Sequence, residues 1–438
     1  MRKIGENTIM PCEFATRNAP CARFIQSSRK LFRAPLVFIV VLFSVGSFSY
    51  CHGQAQGISA ATHHWVGTWS TAEQLVELRN MPPAPGLSHT TLRQVVRVSL
   101  GGDSLRVRFS NEFSSMPVTL NAVHIAISAG GSAIDPESDQ ALSFDGKSEV
   151  TVRAGTAVMS DPFRFVLKPR SDVTITIYFG DTSPDVTGHP GSRTTSYLLP
   201  GNEVSTKDLL GAVQIEHWYV INGIDVVAPD SAAAVVVLGN SITDGRGSGT
   251  NKQDRWPDEL ARRLQGNPDT WNVAVLNEGI GGNCVLRQCL GPSALNRFER
   301  DVMNQSGVRW LVILEGINDI GQVRSAQAAD ALVHDLIAAY EQMIDSAHAK
   351  GVRVYGATLT PFGGSFYDSP DRQTAWKKLN DWIRTSGRFD AVIDLDAAVH
   401  DPANPLHLLP AADSGDHLHP SETGHRMMAE AVDLKLFK

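Results

Sequence analysis

At 438 residues the chain exceeds one typical domain and is expected to hold two or three. With 42% hydrophobic and 19% charged residues it is neither a disordered nor a collagen-like sequence. The formal net charge is −7, and 32 minus 44, or −12, without residues 1–55, an acidity that argues against nucleic acid or an anionic membrane surface as partner, since both call for a basic face.

Residues 1–55 read as a leader rather than as part of the fold. Arg29, Lys30 and Arg33 precede the apolar stretch 36–43, which fades into small and polar residues before a cleavage-like Gly53-Gln54-Ala55. That stretch falls short of the ~20 residues that span a bilayer. The expectation is an exported chain, secreted or periplasmic, with no membrane partner once the leader is gone. Its removal takes away seven Lys/Arg and two Asp/Glu, leaving 32 basic against 44 acidic residues.

Residues 58–228 alternate in short runs. Segments 92–100, 104–110, 118–128, 150–152, 163–167 and 173–179 read as strands separated by Gly-Gly, Asp-Gly, Pro and Ser clusters. In Leu105-Arg106-Val107-Arg108-Phe109 the period of two is explicit. No helical stretch stands out, and the pattern predicts an all-β sandwich, jelly-roll-like. Trp65, Trp69, Asn111 and His189 are candidates for ligand contact here, with core packing the plainer reading of the tryptophans.

From residue 229 to 438 the rhythm becomes strand, helix, strand. A run of Ala and Val over 232–238 lacks alternation, as in a strand buried on both faces. A helix over 257–265 follows, then a strand at 273–276, a helix around 294–304 and a strand at 309–314. A long amphipathic helix spans 326–349, with Leu332, Leu336, Ala339, Tyr340 and Met343 on one stripe, stopped by Lys350-Gly351. Strands at 352–359 and 391–395, a helix at 371–385 and a last helix from about Ser421 complete the series. Five strands alternating with helices predict an α/β domain with a parallel sheet wound on both sides, in three α/β/α layers.

Four loops after these strands carry chemistry-bearing residues. Gly239-Asn240-Ser241-Ile242-Thr243-Asp244-Gly245 follows the first, Asn277-Glu278-Gly279-Ile280-Gly281-Gly282-Asn283 the second, and Glu315-Gly316-Ile317-Asn318-Asp319 the third. Asp413-Ser414-Gly415-Asp416-His417-Leu418-His419-Pro420 follows the fifth and opens the last helix. A parallel sheet gathers such loops on one edge, where open α/β sheets bind their ligands. A serine hydroxyl needs a base to take its proton as it attacks, and His419, oriented by Asp416, is the candidate. The oxyanion of the tetrahedral intermediate needs donors, for which the backbone N–H groups of Ser241 and Gly282 and the Asn318 amide are suited.

Taken together these residues resemble the SGNH (GDSL-type) hydrolases, a superfamily of esterases and acyl hydrolases on a flavodoxin-like sheet. Ser241, Gly282, Asn318 and His419 match the four marks of that family in order, and Asp416 matches the aspartate three residues before the histidine. The resemblance covers roughly residues 230 to 435, with Asn240 standing where the family usually carries aspartate. It implies a serine esterase that needs neither cofactor nor metal. Secreted two-domain members with an N-terminal β-domain are the nearer likeness, on Trp256-Pro257-Asp258-Glu259-Leu260, Gly291-Pro292-Ser293-Ala294-Leu295 and the stretch from Glu315 to Gly321. That implies an acyl ester on a sugar, commonly acetyl, in a small-molecule or polysaccharide substrate. A lipase or arylesterase acting on longer or aromatic acyl chains is the alternative among enzymes. An inactive polysaccharide-binding protein is the alternative outside them.

Cys284 and Cys289, the two cysteines beyond the leader, lie within one loop, and in an exported chain are expected to form a disulfide. The pair His417 and His419 with Asp416 is also compatible with a metal site, but that reading leaves the serine and asparagine loops without a role. His425 reads as a surface or packing histidine. The glycine-rich stretch 245–250 lacks the lysine of a phosphate loop.

Overall fold

A computed structural model describes residues 63–438, so the leader expected over 1–55 lies outside the described residues. In the first half the strands of five or more residues are β1 (His63–Ser70), β2 (Thr90–Arg97), β3 (Gly102–Asn111), β4 (Val118–Gly130), β5 (Phe163–Leu167), β6 (Asp172–Phe179), β7 (Ser196–Pro200) and β8 (Ile221–Pro229). They pair antiparallel in two sheets, in the order β1-β8-β3-β5 and, along the main path of the other, β7-β2-β6-β4. Alternation places Leu105, Val107 and Phe109 of β3 in the core, while Arg106 and Arg108 on the other face are half-buried against Ser306 and Gln305 of the second half. Periodicity alone does not find β1, β7 and β8. The last of these carries Asn222, Gly223 and Asp225 in its interior, and the paired strand β3 supplies partners for the two polar side chains: Arg106 Nε donates to Asp225 (2.9 Å) and Arg108 Nε to Asn222 (3.0 Å).

The second half begins with β9 (Ala233–Gly239), α1 (Ser241–Asp244), α2 (Trp256–Gln265) and β10 (Val273–Gly279). Then come α3 (Ala294–Phe298), β11 (Val308–Leu314), α4 (Ile317–Ile320), α5 (Ala326–Ala349), β12 (Arg353–Ala357), α6 (Pro370–Thr385), β13 (Ala391–Ile393), α7 (Leu395–Val399) and α8 (Glu422–Glu430). The sheet is parallel, in the order β10-β9-β11-β12-β13, the flavodoxin-like arrangement. Its central strand explains the unbroken apolar run. Ala234, Val236 and Leu238 join the core shared with α5 and α6, while Ala233, Val235 and Val237 join a second core with α2, α7 and α8.

Two local expectations change. The helix expected around 294–304 is α-helical only to Phe298 and continues as a π-helical turn over Glu299–Met303. Between β13 and the His419 loop the chain inserts α7 and a small hairpin, His400–Asp401 with Asn404–Leu408, so that loop does not follow the fifth strand directly. Pro405 and the polar hairpin residues carry no periodic signal, which is why the sequence conceals the detour.

Both halves belong to one compact unit, and one core cluster runs from Val66 and Trp69 in β1 through Leu276 in β10 to the helices beyond. The exposed edge that β10 would otherwise present is closed by the first half. Val275 N–H donates to Ser99 Oγ (3.0 Å), and Thr71 bridges to Asn277. Among the described residues no helix is long and apolar enough to cross a membrane.

Candidate active site

The Ser241, Gly282 and Asn318 loops each turn where their strands reach the same sheet edge, and the His419 loop arrives there after the inserted α7 and hairpin. After β9, Asn240 caps α1 by accepting the Ile242 N–H on its side-chain oxygen (3.1 Å), which sets Ser241 at the first position of a single helical turn. The Ser241 Oγ lies 2.9 Å from His419 Nε2. His419 Nδ1 lies 2.7 Å from the Asp416 carboxylate. The other Asp416 oxygen accepts the backbone N–H groups of Leu418 (3.1 Å) and His419 (2.8 Å), so one turn of chain fixes carboxylate and imidazole together.

Charge in this relay is strongly biased. Burial would raise the Asp416 carboxyl, but the backbone N–H of His419 and its ring outweigh that and hold it down to about 2. Burial pushes the His419 imidazole below its ordinary value of 6.5; Asp416 opposes the shift, while Arg246 and Arg193 reinforce it. At neutral pH the ring is therefore an unprotonated acceptor beside a hydroxyl, oriented by an ionised carboxylate. Such an arrangement can take the proton of an attacking hydroxyl and return it to a leaving group.

Gly282 stands at φ +72°, a backbone open to glycine at little strain, and the following residues wrap into the Cys284–Cys289 disulfide. Asp319 anchors that loop by accepting the N–H groups of Val285 (2.8 Å) and Leu286 (3.3 Å). The Asn318 amide donates to the Asn283 carbonyl (2.7 Å) and accepts from the Tyr367 hydroxyl (3.0 Å), which fixes which end of the amide is nitrogen. Ser241, Gly282, Asn318 and His419 all line one open cavity of about 470 Å³.

The first half of the chain supplies the opposite wall: Gln74, Glu77, Arg79 and Asn80, then His189 and Arg193, then His217. Of the four ligand-contact candidates named there, His189 alone reaches the cavity, and both of its ring nitrogens already have protein partners. Trp69 stacks edge-on against Trp218 in the core, Trp65 lies beneath the Arg106 guanidinium, and Asn111 is buried with its amide on the Met116 and Val152 carbonyls. His417 turns to Asp413 (2.6 Å) rather than joining His419. His425 is fully buried, bonded to the Trp256 N–H and near the Arg246 carbonyl, and burial lowers it to about 4.

Several supporting residues escape the sequence. Arg297, fully buried, donates to the carbonyls of Gly239 (2.9 Å) and Glu278 (2.7 Å), to the Asn283 side chain (3.0 Å) and to Asp301 (3.1 Å). It thereby ties the ends of β9 and β10 directly behind Ser241 and Gly282. Glu315 does not face the cavity; it is buried between Arg297 (3.5 Å) and the Asn240 amide (3.4 Å), and burial raises its carboxyl to about 8. That contact gives Asn240 a physical reason: an aspartate there would set a second carboxylate against Glu315. An arginine on a short helix carries no sequence signal of such a role.

Residues 237–427 match the family model of the GDSL-like lipase/acylhydrolases. The match covers somewhat less than half of the chain and lies wholly within its second half, over the Ser241, Gly282, Asn318 and His419 loops. Among solved structures the chain is similar to a G-D-S-L family protein from Desulfitobacterium hafniense DCB-2, at 20% identity and a TM-score of 0.35, covering 45% of this chain and 97% of that one. It is also similar to the acetylxylan esterase Axe2 from Geobacillus stearothermophilus, at 21% identity and a TM-score of 0.35, covering 46% and 93%. Likenesses of this strength say nothing about substrate. No curated protein matches the chain.

Proposed function

We propose that this acylhydrolase is a secreted or periplasmic serine esterase that removes O-acyl groups, acetyl foremost, from carbohydrate. The observation that carries the reading is the hydrogen-bonded line Ser241–His419–Asp416 at the floor of an open, largely polar cavity. In this mechanism Ser241 Oγ bonds to the ester carbonyl carbon as His419 Nε2 takes its proton. The Ser241 and Gly282 N–H groups and the free N–H of the Asn318 amide receive the oxyanion. Collapse expels the sugar alcohol with the proton from His419, and water then releases the acyl group by the same steps. No cofactor is called for in this scheme. The basic-then-apolar leader and the Cys284–Cys289 disulfide support export.

Substrate class is inferred from the walls. Gln74, Glu77, Arg79, Asn80, Arg193 and His217 offer hydrogen bonds suited to sugar hydroxyls. Phe366 is 71% exposed at the rim and leans on Tyr367 with ring centroids 4.4 Å apart, a platform for a sugar face. Free acetate measured from acetylated xylan, pectin and chitin oligomers tests the reading; release from none of them would overturn it. The exposed Leu78 near the rim favours the second reading, a lipase or arylesterase. On a panel of p-nitrophenyl esters a steep fall beyond short acyl groups is expected, and equal or better turnover of long chains would support the lipase.

Two further outcomes follow from these roles. Asn318→Ala should lower kcat by roughly 10²-fold or more with KM little changed, because its donor acts on charge that develops only in the transition state. A rise in KM at constant kcat would contradict the oxyanion role. The pH profile of kcat/KM should rise through a midpoint below 6.5 and stay level above it, since only unprotonated His419 accepts the proton. Arg246→Ala should move that midpoint upward by removing a cation that disfavours the imidazolium, and an unmoved or lowered midpoint would refute the assignment.

A further inference from the structure

The turn that carries Ser241 is only four residues long and holds itself together weakly. Three outside contacts pin it. Asn240 caps its start, the Asn277 amide donates to the Thr243 carbonyl (2.8 Å), and Asp244 at its end is gripped by the first half of the chain. His189 Nε2 lies 2.8 Å from one Asp244 oxygen, and Arg193 Nη2 donates to the other (3.2 Å). His189 Nδ1 in turn lies 2.7 Å from the Ala72 carbonyl. With one ring nitrogen on each, His189 joins the Ala72 carbonyl to Asp244 as a rigid strut.

The fit around Asp244 is close and dry. The His189 and Asp244 side chains are 5% and 1% exposed. Between His189 and Arg193 the chain passes so near that a Cβ on Gly191 would come within 2.2 Å of both carboxylate oxygens. Only glycine admits that approach. Burial would raise the Asp244 carboxyl, yet Arg193 and His189 more than offset it and keep it below its ordinary range. A buried charge held this way resists displacement, since moving it strips partners that offset its burial.

We propose that His189, acting through Asp244, is a positioning residue for the Ser241 nucleophile, with Arg193 as its second clamp. The β half is then a working part of the active site, not an appended module. The inference rests on Ser241 being the nucleophile. Its consequence is specific: loosening the clamp lets the Ser241 turn shift against His419 and the oxyanion donors, and a displacement near 1 Å lowers turnover by roughly 10²-fold.

The test uses the full chain and three variants, His189→Leu, Gly191→Ala and Asp244→Asn. The rate of fluorophosphonate labelling of Ser241 and the kcat and KM for p-nitrophenyl acetate are measured on folded protein, with thermal melts alongside. Each variant is expected to lose about 10- to 100-fold in labelling rate and in kcat, with KM moved far less. Arg193→Met is expected to show a smaller loss in the same sense, partly restored in Arg193→Lys. Gly191→Ala, which leaves both bonding side chains in place, keeps the test decisive where His189→Leu fails to fold. A wild-type protein that reacts while folded variants react equally fast per site would overturn the positioning role alone. A wild-type protein inert to the label would overturn the nucleophile assignment and this inference with it.

Discussion

Ser241→Ala should leave a folded protein with ester hydrolysis reduced by about 10⁶-fold in kcat and no fluorophosphonate adduct. His419→Ala should fall nearly as far, and the double variant little further, because hydroxyl and imidazole act as one unit. The hydroxyl at 2.9 Å from Nε2 is nucleophilic only while the ring can take its proton, so removing either partner removes the step. What activity remains would come from the oxyanion donors acting on a water-borne attack. Independent losses that multiply in the double variant would contradict a shared step. A Ser241→Ala protein still labelled and still turning over would place the nucleophile elsewhere.

Arg297→Met should give the largest loss of stability, about 3–5 kcal/mol, because it strips a buried guanidinium from partners that stay buried. Asp301, Glu315, the Asn283 side chain and the ends of β9 and β10 would all lose a donor. The urea midpoint should fall with the slope unchanged. The loss should also grow with pH. Burial raises Glu315 and Glu278 to about 8 from an ordinary 4.5, with Asp301 adding to the shift at Glu278. The folded state therefore holds protons that the unfolded chain has released, and these two groups make stability decline as pH rises from about 4.5 to 8. Without Arg297 the Glu315 anion is less favoured still, so the variant should suffer more at pH 8 than at pH 5. A pH-independent difference would mean that charge at Glu315 plays no part.

The seam between the halves recasts the first of them. Polar residues that look out of place in a strand, such as Asn222 and Asp225, meet arginines of a neighbouring strand, and Ser306 of the second half donates to Asp225 (2.8 Å). Together with Ser99 on the β10 edge and His189 on Asp244, these contacts join the β sheets to the β10 side of the parallel sheet and to the Ser241 turn. The cleft wall is consequently built from both halves.

Much of this was open to reading from residues alone, for reasons particular to each element. The unbroken Ala/Val run of β9, the 24-residue stripe of α5 and the alternation in β3 are short-range patterns, because burial repeats with the period of the local backbone. Ser241, Gly282, Asn318, Asp416 and His419 could be gathered in advance because a parallel sheet brings its loops to one edge. The roles of Arg297, Tyr367, Asp244 and His189 were hidden. Each depends on at least one partner 49 or more positions away, and nothing local distinguishes a buried clamp from an ordinary polar residue. Sequence thus determined the kinds of element and the chemistry at their tips; packing between distant segments decided which polar groups became the scaffold of the nucleophile, since only the folded chain removes the water that would otherwise satisfy them.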